Sequence, residues 1–510
     1  MRRWLCITVV VAASSWPVHA AAAACETLAA LTLPNTTITA AEVVAAGAFR
    51  PPNSSQPGAS QVQQLFAALP AFCRVAATLR PSSDSDIRIE VWMPAAGWNG
   101  KFEGVGNGGW AGTIPYGPLA SAVAAGYAAA GTDTGHTGGT AAFALGHPEK
   151  VIDLGHRAVH EMTAKAKSII DSFYGAPVKF SVWNGCSQGG RQGITEAVRY
   201  PADYDAVIAG APAVNWMHLH AGRLAVNRWA NRSPAAVIPR EKYPLLHNAA
   251  LAACDAHDGV KDGLIANPAR CEFNPEVLQC TAGDGPACLT AEQVVSARAA
   301  YSAVRHPATG ADVLPGLAPG SELGWGVAVG TQPVNTALEA YRFIVMQDPA
   351  WDPARFDAAA DLDRALKADP DDVLGSTSTD LREFFGRGGK LLLYHGWSDP
   401  QVSPFNTIDF FNKVVSRHGS GVVGSSIQLY MVPGMNHCQG GPGTDLFDKR
   451  AAIDEWVNTG TSPARIVASH ATAVRIDRTR PLCPYGQVAQ WNGTGSIDDA
   501  ASFTCVADSR

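Results

Sequence analysis

Gly185-Cys186-Ser187-Gln188-Gly189, inside the stretch WNGCSQGGRQG (183–193), fits the pattern G-x-S-x-G. That pattern describes a tight strand-to-helix corner that lifts a serine hydroxyl above a sheet. Glycines stand where side chains would strike the turn or the neighbouring strand. Both flanks agree: VKFSVW before it reads as a strand, and ITEAVRYP after it as a helix stopping at Pro201. A serine so placed does nucleophilic chemistry. It needs a general base, and the base needs an orienting acid.

On such a corner the serine comes first in the chain, then the acid, then the histidine. GKLLLYHGWSDPQVSP is a buried apolar strand with Asp399 just past its end, and SSIQLYMVPGMNHCQGG sets His437 in the loop after another strand. Loops at one edge of a parallel sheet bring such groups together. His395 lies before the turn and reads as structural, while His470, after the short strand ARIVAS, ranks lower as a base. Negative charge on the attacked carbonyl oxygen needs N–H donors. One is expected from Gln188, after the serine, and the other from the glycine-rich loop in KFEGVGNGGWAG, where Gly109 is preferred and Gly108 is nearly as good.

The stretch CDAHDGVKDGLIANPARC crowds Asp255, Asp258 and Asp262 into one loop between Cys254 and Cys271. Carboxylates this close repel unless a cation or solvent separates them, and hard oxygen ligands suit Ca²⁺. A solvated acidic turn fits the residues equally well, and the spacing is not that of an EF-hand. His156 and His160 are spaced to share a helical face, but the segment lacks H-E-x-x-H and reads as a core-facing helix with a polar edge.

Positive charge in MRR, the apolar WLCITVVVAA and the small residues after VHA read as a leader over residues 1–24, cut after one of Ala20 to Ala24. The apolar stretch is too short for a stable anchor, and no later segment supplies the ~20 apolar residues that spanning needs. Export to the periplasm or the medium follows; a lipid on Cys25 is a lesser alternative. Of eleven cysteines, Cys6 leaves with the leader, and ten remain, an even number suited to an oxidising compartment. By spacing, Cys254 with Cys271, Cys280 with Cys288, and Cys483 with Cys505 could each close a short loop, and Cys25 with Cys73 would tie down the N-terminal segment. Cys186 and Cys438 are left over. If Ser187 and His437 share a hydrogen bond, these neighbours fall within the Cα separation a disulfide tolerates. With 16% charged residues, a formal net charge of −6 and no basic run, the chain is not built for nucleic acid.

Taken together, GCSQGG, GWSDP and NHC resemble the tannase and feruloyl esterase family of α/β-hydrolases, which includes a bacterial hydrolase of mono(hydroxyethyl) terephthalate. The resemblance implies a serine carboxylic-ester hydrolase with Ser187 as nucleophile, Asp399 as acid and His437 as base. It implies a Cys186–Cys438 bridge joining nucleophile to base. It also implies that the acidic loop binds structural calcium, with the carbonyls of Val260 and Leu264 beside the three aspartates. No organic cofactor is called for. GTDTGHTGG (131–139) resembles a family motif too, with Asp133 and His136 organising a loop beneath the site.

The organisation expected is an α/β-hydrolase domain over residues 25–215 and 386–510, interrupted by a lid domain over 216–385 that carries the calcium loop. In the resembled family the lid holds the aromatic acyl part of the substrate. Trp325, Tyr341, Arg342 and Phe343 are the candidate contacts. The expected substrates are small esters of aromatic acids, feruloyl, galloyl or terephthalate-type; the alternative is an inactive, calcium-stabilised extracellular binding protein on the same scaffold. Oligomeric state is not legible.

Overall fold

The computed structural model describes residues 23–52 and 59–508. All but the end of the expected leader therefore lies outside the described residues. A nine-stranded sheet forms the centre of the molecule. Its strands are β1 (Thr36–Val44), β2 (Phe72–Leu79), β3 (Ile87–Pro94), β4 (Lys101–Val105), β5 (Ala128–Thr132), β6 (Phe180–Cys186), β7 (Ala206–Gly210), β8 (Lys390–Gly396) and β9 (Ile427–Val432). Their spatial order is β1-β2-β3-β5-β4-β6-β7-β8-β9. The first strands pair antiparallel, up to β3 with β5; from β5 onward through β4, β6, β7, β8 and β9 every pairing is parallel.

The parallel half is where the apolar runs lie, because parallel strands are covered on both faces. Leu391 and Leu393 of β8 pack with Val207 and Ala209 of β7 on one face. Leu392, Ala206 and Ile208 pack on the other, with Trp456 and Tyr430. Helix α1 (Ala158–Tyr174) covers the first face with Val159, Met162, Ala166, Ile169, Ile170 and Phe173. This 3–4 spacing is the core-facing stripe expected of the His156–His160 segment.

Residues between β7 and β8 build cores of their own. One gathers Trp216, Leu219, Leu224, Tyr341 and Trp351 with Trp110 and Leu154 from the sheet side; another holds Tyr243, Leu246, Val294 and Trp325. Leu381 and Phe384, assigned to the insertion by sequence, instead pack in the sheet's core. All five expected disulfides are formed: Cys25–Cys73, Cys186–Cys438, Cys254–Cys271, Cys280–Cys288 and Cys483–Cys505. The sulfur of Cys25 is thus committed to Cys73 and is not free to carry lipid. Among the described residues no helix is long and apolar enough to cross a membrane.

Candidate active site

Ser187 stands between β6 and helix α2 (Gln188–Arg199), with φ +62° and ψ −121°. A non-glycine residue holds that left-handed backbone only where its surroundings enforce it, at a cost of about 1–3 kcal/mol. Here the Ser187 N–H donates to the Gly210 carbonyl, and the Ser187 carbonyl accepts from Arg191 and Ala213. Glycine is required around the corner: a Cβ on Gly185 would sit 2.4 Å from the Gly189 carbonyl oxygen, and one on Gly106 would sit 2.6 Å from the Gly189 Cα. The strand, the glycine loop and the helix meet there at backbone contact.

Asp399 and His437 follow β8 and β9, which are adjacent parallel strands. His437 Nδ1 donates to Asp399 Oδ2 at 2.6 Å, so its Nε2 is the nitrogen left to accept a proton. Asp399 is fully buried. Burial alone would raise its carboxyl, but the His437 charge and the hydrogen bonds from His395 and His437 outweigh it and hold it well below the usual carboxylate range. Its Oδ1 accepts the N–H groups of Gln401 and Val402 at 2.7 and 3.0 Å.

His395, read from sequence as structural, is part of this arrangement. It is fully buried, and its Nε2–H is shared between Asp399 Oδ2 and the Val402 carbonyl, each at 3.0 Å. The Thr407 hydroxyl bonds its Nδ1 at 2.8 Å. His470, the alternative base, pairs instead with Asp477 on a C-terminal hairpin. Among the described residues Ser187 Oγ makes no hydrogen bond. What draws serine and histidine together is covalent: Cys186 and Cys438 are bonded with their Cα atoms 6.0 Å apart. Cys438 has φ +66°, and at the other end of the staple the residue after Cys186, Ser187, has φ +62°, so left-handed backbone marks both sides of the bond.

The glycine loop lies beside α2. Asn107 anchors it: its N–H donates to Gln192 Oε1, and its side chain donates to the Thr113 and Thr132 carbonyls. Gly109 has φ +52°. Gln188 begins α2, so its N–H has no acceptor within the helix. His136 holds the far side of the loop, donating from Nε2 to the Trp110 carbonyl at 2.8 Å. Asp133 receives the Arg88 and Gly135 N–H groups and is pushed up to about 7 by burial. Both hold backbone, and His136 Nδ1 also meets the Thr134 hydroxyl at 3.3 Å.

The insertion meets this site through residues the sequence did not single out. Helix α3 (Trp216–Ala230) extends Arg223 to the Gln401 carbonyl, in the loop that carries Asp399, and to the Thr336 hydroxyl. Trp110 donates to the Thr336 carbonyl and stacks on Trp216 with ring centres 4.6 Å apart. Of the four expected contacts, two are taken up by packing and two are partly exposed. Trp325 and Tyr341 are fully buried inside the insertion; Trp325 donates to Ser321, and Tyr341 packs between Trp351 and Phe356. Neither offers a surface to a substrate. Arg342 is spent on the Trp351 carbonyl, and Phe343 packs against the same core.

The acidic loop is pinned by the Cys254–Cys271 bond and by the C-terminal hairpins. Asp255 accepts the N–H groups of Asp262 and Gly263. Asp262 pairs with Arg480. Asp258 is buried with one N–H donor, from Val260, and burial beside the charges of Asp262 and Asp255 pushes it up to about 7. Such a carboxylate fits a cation, although the Arg480 guanidinium already meets one oxygen of Asp262.

If the staple sets the serine–histidine spacing, replacing Cys186 and Cys438 together by alanine should lower turnover on the order of a hundredfold, the cost of roughly ångström-scale misplacement. The other four bridges remain, so a folded protein is expected. Turnover equal to wild type, with near-ultraviolet dichroism unchanged, would show that the bond positions nothing.

The family model described as tannase and feruloyl esterase matches residues 73–506. An uncharacterized esterase of Xanthomonas campestris pv. campestris is 37% identical over 96% of this chain and 92% of its own length. A mono(2-hydroxyethyl) terephthalate hydrolase of Piscinibacter sakaiensis is 31% identical over 86% of each chain. The crystal structure of feruloyl esterase B from Aspergillus oryzae superposes with a TM-score of 0.87 at 28% identity, covering 94% of this chain and 99% of that one.

Proposed function

The chain belongs to the tannase and feruloyl esterase family and is a carboxylic ester hydrolase of that type, and from that premise we propose that it is an exported enzyme which cleaves esters of aromatic acids through an acyl-enzyme on Ser187. The observation that carries the reading is the His437–Asp399 bond, tied through Cys438 to the residue before the serine. His437 Nε2 takes the Ser187 proton as Oγ attacks the ester carbonyl. The oxyanion is held by the N–H groups of Gly109 and Gln188. His437 then protonates the leaving alcohol, and a water repeats the cycle to release the acid.

Aromatic acyl groups are supported by the relatives, which include a mono(2-hydroxyethyl) terephthalate hydrolase and a feruloyl esterase B. Export is supported by five disulfides, which persist in oxidising compartments. The test is a panel of methyl ferulate, methyl gallate and mono(2-hydroxyethyl) terephthalate against one purified sample, with an aliphatic ester of similar size as reference. At least one aromatic ester should exceed the reference in kcat/KM. Preference for the aliphatic ester, or hydrolysis of none of the aromatic ones, would refute the substrate class.

Calcium belongs to the same reading. Asp255, Asp258 and Asp262, with the carbonyls of Val260 and Leu264, would hold the ion, which would neutralise the loop and brace it against the hairpins. Replacing Asp258 and Asp262 by alanine together should erase the rise in Tm that calcium gives wild type, since a ligand of the folded state alone stabilises by linkage. Identical wild-type Tm values in calcium and in chelator would sink the assignment.

A further inference from the structure

On the face of the sheet covered by α1, a second set of chemical groups converges that the ester chemistry does not use. Glu196 of α2 is 1% exposed, and neither of its carboxylate oxygens has a hydrogen-bond partner among the described residues. Leaving a buried carboxylate unpaired costs several kcal/mol, so native proteins satisfy such groups or neutralise them. His160 of α1 and Asp203, in the turn after α2, are its neighbours: one ligand atom from each residue lies within 4.8 Å of the other two. His160 Nδ1 and Asp203 Oδ2 are already 2.6 Å apart.

The surroundings fix these groups without satisfying Glu196. The Tyr200 ring stacks on the His160 imidazole at 3.8 Å between centres, and the Tyr200 hydroxyl is taken by His156 Nδ1. Lys167 donates its ammonium proton to the Asp203 carbonyl rather than to either carboxylate. Glu196 lies nine positions past Ser187, about 13 Å along the helix at ~1.5 Å per residue, so the cluster is separate from the esterase centre.

We propose that His160, Glu196 and Asp203 form a binding site for one divalent transition-metal ion of the zinc class, which clamps α1 to the helix that begins at the nucleophile. An imidazole nitrogen with two carboxylate oxygens is a borderline donor set, matched to Zn²⁺ and its first-row neighbours rather than to calcium. The His160 side chain is 34% exposed, which leaves a solvent side for a fourth, water ligand. The motif is not the zincin pattern, because its ligands come from two helices and a turn rather than from one helix.

Full-length mature enzyme, stripped with chelator and kept in excess calcium, would be titrated with Zn²⁺ by calorimetry, with bound metal counted by elemental analysis. One equivalent is expected, with a rise in Tm, and Co²⁺ in its place should give a visible absorption band of a low-coordinate nitrogen–oxygen site. Glu196→Gln and His160→Asn should each weaken Zn²⁺ binding on the order of a hundredfold or more, while Asp258→Ala leaves it unchanged. Should Glu196→Gln fail to fold, His160→Asn, at a partly exposed position, still decides. Zinc lost on dialysis from wild type, or bound equally by wild type and the variants, would overturn the site. So would a Glu196→Gln protein stabilised without any metal, because a proton shared between Glu196 and Asp203 would then explain the pair.

Discussion

Ser187→Ala should reduce turnover by about a millionfold and leave the fold unchanged, the loss seen when the nucleophile of a serine hydrolase is removed. The hydroxyl is the attacking group, so no neighbour can substitute for it. The fold should survive because Ser187 is held by its backbone, through Gly210, Arg191 and Ala213, and not by Oγ. Alanine tolerates φ +62° no worse than serine does, having the same Cβ. The measurement is hydrolysis of the best ester of the panel alongside near-ultraviolet dichroism. A folded variant keeping more than a few per cent of activity would remove Ser187 from the mechanism.

The second large effect is at the acid. Asp399→Asn should lower kcat on the order of ten-thousandfold, as the amide does in another serine hydrolase, by turning the histidine to the wrong tautomer. The cause here would be the same. An amide nitrogen facing His437 Nδ1 asks it to accept, which puts the proton on Nε2, where the serine needs a lone pair. The amide would also face His395, whose Nε2–H now points at the same oxygen. Stability has its own pH signature. Because the folded carboxyl is held below its unfolded value, its contribution is present above that value and lost as pH falls. The stability gap between wild type and variant should therefore narrow in acid. A variant with unchanged kcat would place the acid elsewhere.

What was legible lay in local patterns. A strand, a glycine corner and a helix announce Ser187 within a dozen residues, and the apolar runs ending in GWSDP and NHC mark adjacent strand ends. Cysteine spacing suggested the short-loop bonds, and the two cysteines left beside serine and histidine, with the family resemblance, suggested the fifth; all five are formed. What was not legible depends on which way a helix faces after folding. Arg223 and Trp216 are ordinary positions of α3 until that helix is laid against the glycine loop. Tyr341 and Trp325 looked like recognition residues, yet the insertion is large enough to need cores of its own, and aromatic side chains fill them. His395 was placed correctly on its strand, but a hydrogen bond to a side chain four residues later has no sequence signal beyond proximity. Glu196 and Asp203 are separated from His160 by a strand and most of two helices, and only packing brings them together.

The bond between Cys186 and Cys438 joins positions 252 apart and closes a ring that contains the nucleophile, the base and the whole insertion. Within that ring the backbone is redundant as a tether. A single protease cut in an exposed loop of the insertion would leave one fragment ending beyond Ser187 and another beginning before His437, still joined by sulfur one residue from each. Such an enzyme would run as one species without reductant and as two with it. Its catalytic pair would pass from one chain to two without ever parting.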